Sequence, residues 1–490
     1  MDRDRTSAPP TTLPAAPVAM RGRARRHHRV SDSRVDPRAR GVAALALAAA
    51  IVLAIVGVAG AAVPIVLTSR KVAVLKDLPG TGKDRGTFRF AKDPALADPP
   101  APTCPTVTTV QVAFYPQATN RLDARPPVDI PCAAWRPVRG GWVYADPDAG
   151  RGGVARIVYK RGKLTIKLRG AGFAPITGPV GYLEVWFTVG ADRHVGRFHS
   201  FARNQATSIK TRKPSAAAAA GEDAFWDVLH ATNGSTARQD AALALLRKAT
   251  RREPRDGRSH FLLAMLHLYR FGQATTRFDQ VSDFARAELA AAHAAFDRAV
   301  PLLWDGTAGD SRVPGFAAAT RYTHGLVIGD DALRDEGLAE LATAVAANQF
   351  FNVFDYIPVA QAAPAGSPLF ATVFTEVDDY LSDPDTLACI ATQPEICGNA
   401  GLAPHNAEGA LLLFGDLYAK AGELTQAQSW YGLASALGAA GAVPWSFQTV
   451  ADDRLATATA RVALYQDADP SNDPPVIGAA AEACSVCHAQ

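Results

Sequence analysis

Three hydrophobic patterns divide the 490-residue chain. From Gly41 to Thr68 the sequence GVAALALAAAIVLAIVGVAGAAVPIVLT carries no charge and exceeds the roughly 20 apolar residues that cross a bilayer, so it predicts a transmembrane helix over 41–68. Between 105 and 208 the pattern changes to short runs rich in β-branched and aromatic residues: TVTTVQVAFY, WVYAD, GVARIVYK, KLTIKL and YLEVWFTV. Turn signals such as DPDAGRGG, KRGK and GADR separate them, which predicts a small antiparallel β sandwich or barrel. From 222 to 462 apolar residues recur at helical spacing with repeated Ala, and an all-α region is expected. The fold class is therefore α+β and multidomain.

One helical stretch is more specific. In HNAEGALLLFGDLYAKAGELTQAQSWYGLASAL, Phe414, Gly415, Tyr418, Gly422, Ala427, Tyr431 and Ala434 follow small residue, aromatic, turn glycine, then Ala-x3-aromatic-x2-Ala. This stretch resembles a tetratricopeptide repeat. Weaker echoes lie at Ala242, Leu246, Ala249 and Pro254, and at Ala292, Phe296 and Ala299. The resemblance implies a helical solenoid over 222–462 whose concave face docks a protein partner.

Charge sets the expected topology. Residues 1–40 hold ten Arg against four Asp and are expected as a disordered basic tail, while the far flank of the apolar run offers only Arg70, Lys71 and Lys76. The positive-inside bias puts the N-terminus in the cytoplasm and the bulk of the chain outside, in the periplasm of a bacterial inner-membrane protein. Ala59-Gly60-Ala61 resembles a processing site, so a cleaved signal peptide is the alternative to an anchor. Pro-rich 69–104 and 463–490 are expected as linker and tail. The net charge of +4 comes largely from the basic N-terminus, which argues against nucleic acid as a partner.

The six cysteines carry the candidate chemistry. Cys104 with Cys132 and Cys389 with Cys397 fall into local pairs that suit an oxidising space, with buried free thiols as the alternative. The tail reads Cys484-Ser485-Val486-Cys487-His488, a C-x-x-C-H run. Two thiols one helical turn apart beside an imidazole are what thioether attachment and iron ligation require. The run resembles the attachment motif of c-type cytochromes, which implies one covalent haem c on Cys484 and Cys487 with His488 as proximal iron ligand. The resemblance is confined to CSVCH: a mono-haem cytochrome domain continues past its motif and supplies a downstream Met, whereas two residues follow His488 here.

The candidate distal ligand is His405, in LAPHNAEG just before the best repeat helix; the alternative is a polar loop residue beside a helix cap. Met265 lies on an apolar helical face and is read as core; His324 and His267 are secondary candidates. His194 and His199 are expected on the surface. Without a sixth protein ligand the iron would be open to small molecules. A thioredoxin-like site lacks its βαβ context, and zinc needs a fourth ligand. Gly80-Thr81-Gly82-Lys83 lacks a phosphate loop's full spacing, Asn233-Gly234-Ser235 reads as a helix-starting turn, and Asp146 and Asp148 read as turn chemistry. No acid/base constellation points to enzymatic turnover. The expected function is electron transfer or haem-based sensing by a membrane-anchored haem protein with a docking domain. The alternative is a cell-envelope scaffold whose terminal cysteines are structural, as a disulfide or metal site.

Overall fold

Period-two alternation builds the first half of the chain. The computed structural model describes residues 64–69, 71–76, 83–116, 123–170, 179–230, 235–275, 278, 280–307, 309–383, 405–441, 444–467, 469–474 and 476. Fourteen strands are named in chain order: β1 (Ile65–Val66), β2 (Val72–Lys76), β3 (Arg85–Ala91), β4 (Thr108–Pro116), β5 (Asp123–Ala124), β6 (Val128–Ile130) and β7 (Trp135–Val138). They continue as β8 (Gly141–Ala145), β9 (Val154–Lys160), β10 (Lys163–Arg169), β11 (Val180–Val189), β12 (Asp192–Phe198), β13 (Phe201–Gln205) and β14 (Ser208–Thr211). Eight form one sheet in the order β13-β14-β2-β3-β10-β9-β8-β7. The others form a second sheet, β1-β12-β11-β4-β5, with β6 also on β4.

The inward faces of both sheets make one core. Phe88 and Phe90 of β3, Ile157 and Tyr159 of β9, and Leu183, Val185 and Phe187 of β11 are buried in it. Close stacking needs Gly196: a Cβ there would sit 2.1 Å from Cζ of Phe90. Strand β11 is buried along nearly its whole length, as a strand covered on both faces must be. Its other face carries Trp186 against the helical half.

That half begins with α1 (Ala216–His230), α2 (Thr236–Arg252), α3 (Gly257–Ala274), α4 (Asp283–Leu303), α5 (Val313–Ile328) and α6 (Asp331–Ala347). Short turns at Gln349–Asn352, Val353–Tyr356 and Ile357–Ala362 lead to α7 (Pro368–Ser382), α8 (Asn406–Lys420), α9 (Leu424–Ala440) and α10 (Gln448–Tyr465). Antiparallel α5 and α6 approach backbone to backbone, since a Cβ at Gly337 would lie 2.4 Å from the Tyr322 nitrogen. The α8–α9 hairpin buries Leu412, Leu417, Ala427, Tyr431 and Ala434 in the largest helical core.

Several expectations are corrected here. The β part is not a small module over 105–208: strands run from Ile65 to Thr211, and the segment expected as a linker over 69–104 supplies β2 and β3. The end of the expected 41–68 transmembrane helix is strand, with Ile65 and Val66 paired in parallel to His194 and Val195. Leu67 is buried in the sandwich core, and Thr68 Oγ1 donates to Asp223 of α1. Residues 41–63 lie outside the described residues. Among the described residues no helix is long and apolar enough to cross a membrane, so the single-pass inner-membrane and periplasmic placement lacks structural support. The regular tetratricopeptide-like solenoid is also corrected: the helices range from 15 to 21 residues and are interrupted by the short turns over 349–362, so the described helices do not form a run of equal repeats.

One buried acid in these turns yields a pH prediction. The Asp355 Oδ2 and Asn352 Oδ1 atoms have no hydrogen-bond partner, and a Cβ at Gly315 would lie 2.1 Å and 2.7 Å from them. Burial pushes the Asp355 carboxyl well above the usual range. A raised folded-state pKa contributes stability below the ordinary carboxylate pKa and loses it as pH rises through the raised value. Asp355→Asn supplies an amide donor beside Asn352. It should stabilise the protein by about 1–3 kcal/mol at pH 8 and change little at pH 4, as read by chemical unfolding at both values.

Candidate functional site

Two places concentrate polar groups in apolar surroundings. The first is the junction of sheet and helices. Apolar spacing on α1 places Ala218, Ala219, Phe225, Trp226 and Leu229 on its buried face, and Phe225 and Trp226 share a cluster with Trp186 and Val195 of the sheet. Glu222 falls on that same stripe and is 3% exposed.

Charged partners meet it from both sides. Lys71 Nζ donates to Glu222 Oε2 at 2.6 Å, and Arg258 Nη2 lies 3.4 Å from Oε1. On β11 and β12, Arg197 Nε donates to Glu184 Oε1 at 2.6 Å, and the Trp186 indole N–H to Glu184 Oε2 at 3.1 Å. The Arg197 guanidinium also lies 5.7 Å from the Trp226 ring centroid. Past β12, His199 Nδ1 faces Asp310 Oδ2 at 3.3 Å, and Arg312 binds that carboxylate through Nε and Nη2 at 2.7 and 2.6 Å.

The low-dielectric setting shifts these groups. Burial alone would raise the Glu222 carboxyl, but Lys71 and Arg258 hold it down at about 2. Burial pushes the His199 imidazole down to about 3, with Arg258 adding to the shift. It also lowers the Lys71 ammonium despite Glu222, and raises Asp256 despite Ser259. Against the upward push of burial, Arg312 holds Asp310 well below the carboxylate range. Beside these groups opens a cleft of about 370 Å³.

The second place surrounds His405, immediately before α8. Its side chain is 1% exposed and stacks on Trp445 with ring centroids 6.1 Å apart. The Nδ1 atom lies 3.4 Å from Glu408 Oε1, and Nε2 has no partner. The polar-loop alternative thus gives way to a buried imidazole. Carboxylate on one ring nitrogen and a free second nitrogen is how metal-ligating histidines are commonly held. The chain re-enters this core after α10, where the Tyr465 hydroxyl donates to the Pro474 carbonyl at 2.6 Å and Val476 is buried in the cluster containing Trp445.

Other sequence candidates have partners within the fold. Met265 packs in the apolar clusters around α3. His267 Nδ1 meets Glu288 at 2.5 Å, where Arg270 also binds. His324 Nδ1 lies 2.9 Å from His293 Nδ1, and Arg321 donates to His293 Nε2 at 3.1 Å. The expectation of surface positions for His194 and His199 is overturned: His194 is 2% exposed, paired with the Tyr159 hydroxyl at 3.0 Å, and burial lowers its pKa to about 4. The Asp146 carboxylate accepts from Tyr144 at 3.3 Å.

Cys104 and Cys132 form a disulfide with their Cα atoms 4.9 Å apart. Cys389, Cys397, Cys484, Cys487 and His488 lie outside the described residues, as do Gly80 to Gly82, Asn233 and Gly234. The expected metal-binding character finds no site in the folded body: among the described residues no group of three or more His, Cys, Asp or Glu is placed to hold a metal ion. Compared with known protein families, curated proteins and solved structures, the chain matches none.

Proposed function

We propose that the protein carries one covalent haem c on Cys484 and Cys487, with His488 as proximal ligand, and serves one-electron transfer or haem-based sensing. The observation that carries this reading is the CSVCH run. The Cys104–Cys132 disulfide supports it, because disulfides persist in oxidising compartments, where haem c is also attached. When bound, the haem supplies a redox-active iron.

The chain's own residues would set its surroundings. Seven residues lie between the buried Val476 and Cys484, so Cys484 stays within roughly 28 Å of the helical core by chain length alone. His405 borders the same core through Trp445. Its Glu408 contact orients the ring and leaves Nε2 as the available donor. Its burial means that ligation requires Trp445 or a neighbouring segment to give way. The helical surface would dock the protein partner that exchanges electrons or reads the signal.

The test is production of the full chain alongside haem c maturation machinery, followed by haem staining of denatured protein in gels. The wild type should stain, and a Cys484→Ser/Cys487→Ser variant should not. Equal staining of both, or none in the wild type, rejects the reading. In stained protein, a His405→Ala variant should shift the visible spectrum of the iron; an unchanged spectrum removes His405 as distal ligand.

A further inference from the structure

The junction cleft is built from separate segments: the start of β2, the end of β12, the residues after β14, the first turns of α1, and the α2–α3 turn with the beginning of α3. Six cationic side chains line it, Lys71, Arg197, Arg212, Lys213, Arg255 and Arg258, against the acids Glu222, Glu253 and Asp256. The excess reaches the cleft floor. One carboxylate, Glu222, answers both Lys71 and Arg258, and Arg258 Nε has no hydrogen-bond partner. The neighbouring cation Arg197 already has Glu184, and Asp310 is engaged by Arg312 and His199.

A buried positive charge without a counter-charge is costly, and an anion in the cleft would relieve it. Helix α3 reinforces this. Its 18 residues begin at the cleft, and the Asp256 side chain makes no cap bond, being held instead by the Ser259 hydroxyl at 2.5 Å. The partial positive charge of the helix N-terminus adds to the same field. Phe198, Pro214, Ala218, Pro254 and Leu262 supply apolar wall between the charges.

We infer that this cleft binds a small organic dianion, an apolar body bearing two negative charges, whose charge completes the Lys71–Glu222–Arg258 group. Arg255 and Lys213 are exposed and make the outer wall, where they attract and position the anion. Glu222 keeps the inner cations fixed when the cleft is empty. The apolar walls favour a molecule with a ring or short hydrocarbon frame over a bare inorganic ion. Dicarboxylates and phosphate monoesters share this chemistry.

Calorimetric titration of the full chain with phthalate, phenyl phosphate and neutral benzamide tests it and separates the two sources of charge. At least one dianion should bind while benzamide does not, and Lys213→Ser/Arg255→Ser should weaken binding at least tenfold. Both positions are exposed and outside the core; Arg255→Ser alone, expected to weaken binding at least threefold, serves if the double variant fails to fold. Absence of binding by both dianions, equal binding of benzamide, or unchanged affinity in the variant overturns the inference.

Discussion

Replacing Asp416 by Ala should destabilise the helical half by about 3–5 kcal/mol. This side chain on α8 is fully buried and accepts from the Tyr431 hydroxyl at 2.6 Å, from Arg461 Nη2 at 3.2 Å, and from Arg454. Tyr431 lies on α9, and both arginines on α10, so one carboxylate fastens three helices. Its loss leaves the 6%-exposed Arg454 side chain and the 12%-exposed Arg461 without that counter-charge. Breaking a buried pair by removing one partner costs about 3–5 kcal/mol, whereas replacing both partners by apolar groups of similar volume can be neutral. Urea unfolding of Asp416→Ala should show the loss, and addition of Arg454→Met should recover part of it. A change below about 1 kcal/mol would mean that the helices hold their places without this network.

The second large effect is expected at Glu222. Glu222→Gln keeps the side-chain shape but leaves Lys71 and Arg258 facing an amide, and should cost about 3–5 kcal/mol at pH 7. Lys71→Met in the same chain should restore a substantial part, a coupling that double-mutant unfolding measures. The pH dependence has a defined sign. A carboxyl held at about 2 contributes stability above its ordinary pKa and loses it as pH falls toward 2. His199, pushed to about 3, and His194, pushed to about 4, act in the same direction from higher pH. The unfolded chain takes up their protons below about 6.5 while the folded chain does not. The two histidines should therefore lower stability from pH 6.5 downward, against the opposing contribution of raised carboxyls such as Asp355, and Glu222→Gln should lose the part of the pH dependence nearest pH 2. A stability difference between wild type and His199→Gln that stays the same from pH 7 to pH 4 would contradict the buried neutral state of that histidine.

Much of the β half is legible because its runs alternate clearly: KLTIKL and YLEVWFTV become β10 and β11. Two strands escape such a reading for a physical reason. VAVLK and RGTFRFA sit among Gly, Pro and charged residues that resemble a linker in composition, yet Leu75, Phe88 and Phe90 alternate into the core. The apolar end of the 41–68 run looks like lipid-facing helix, but apolarity alone does not distinguish a bilayer from a sheet covered on both faces. Here Val66 and Leu67 take the second environment.

Sites were less legible than elements. His405 reads as a loop residue because Pro404 and Asn406 flank it, and the ring it stacks on, Trp445, lies forty residues on. The junction cleft draws on segments from Lys71 to Leu262, so no local motif announces it. One signal was present: Glu222 occupies the apolar stripe of α1 defined by Ala218, Phe225 and Leu229, and an acid on such a stripe requires a buried cation. His199 carried no comparable mark, since its partner Asp310 lies 111 residues away in sequence.

The most direct test of the proposed function is the mass of the peptide containing Cys484, Cys487 and His488 from protein isolated from its own cells. Covalent haem c predicts that both sulfurs carry a single haem and that neither reacts with a thiol reagent. Two free thiols, or a disulfide between Cys484 and Cys487 with no haem mass, would contradict it and leave the terminal cysteines a structural role.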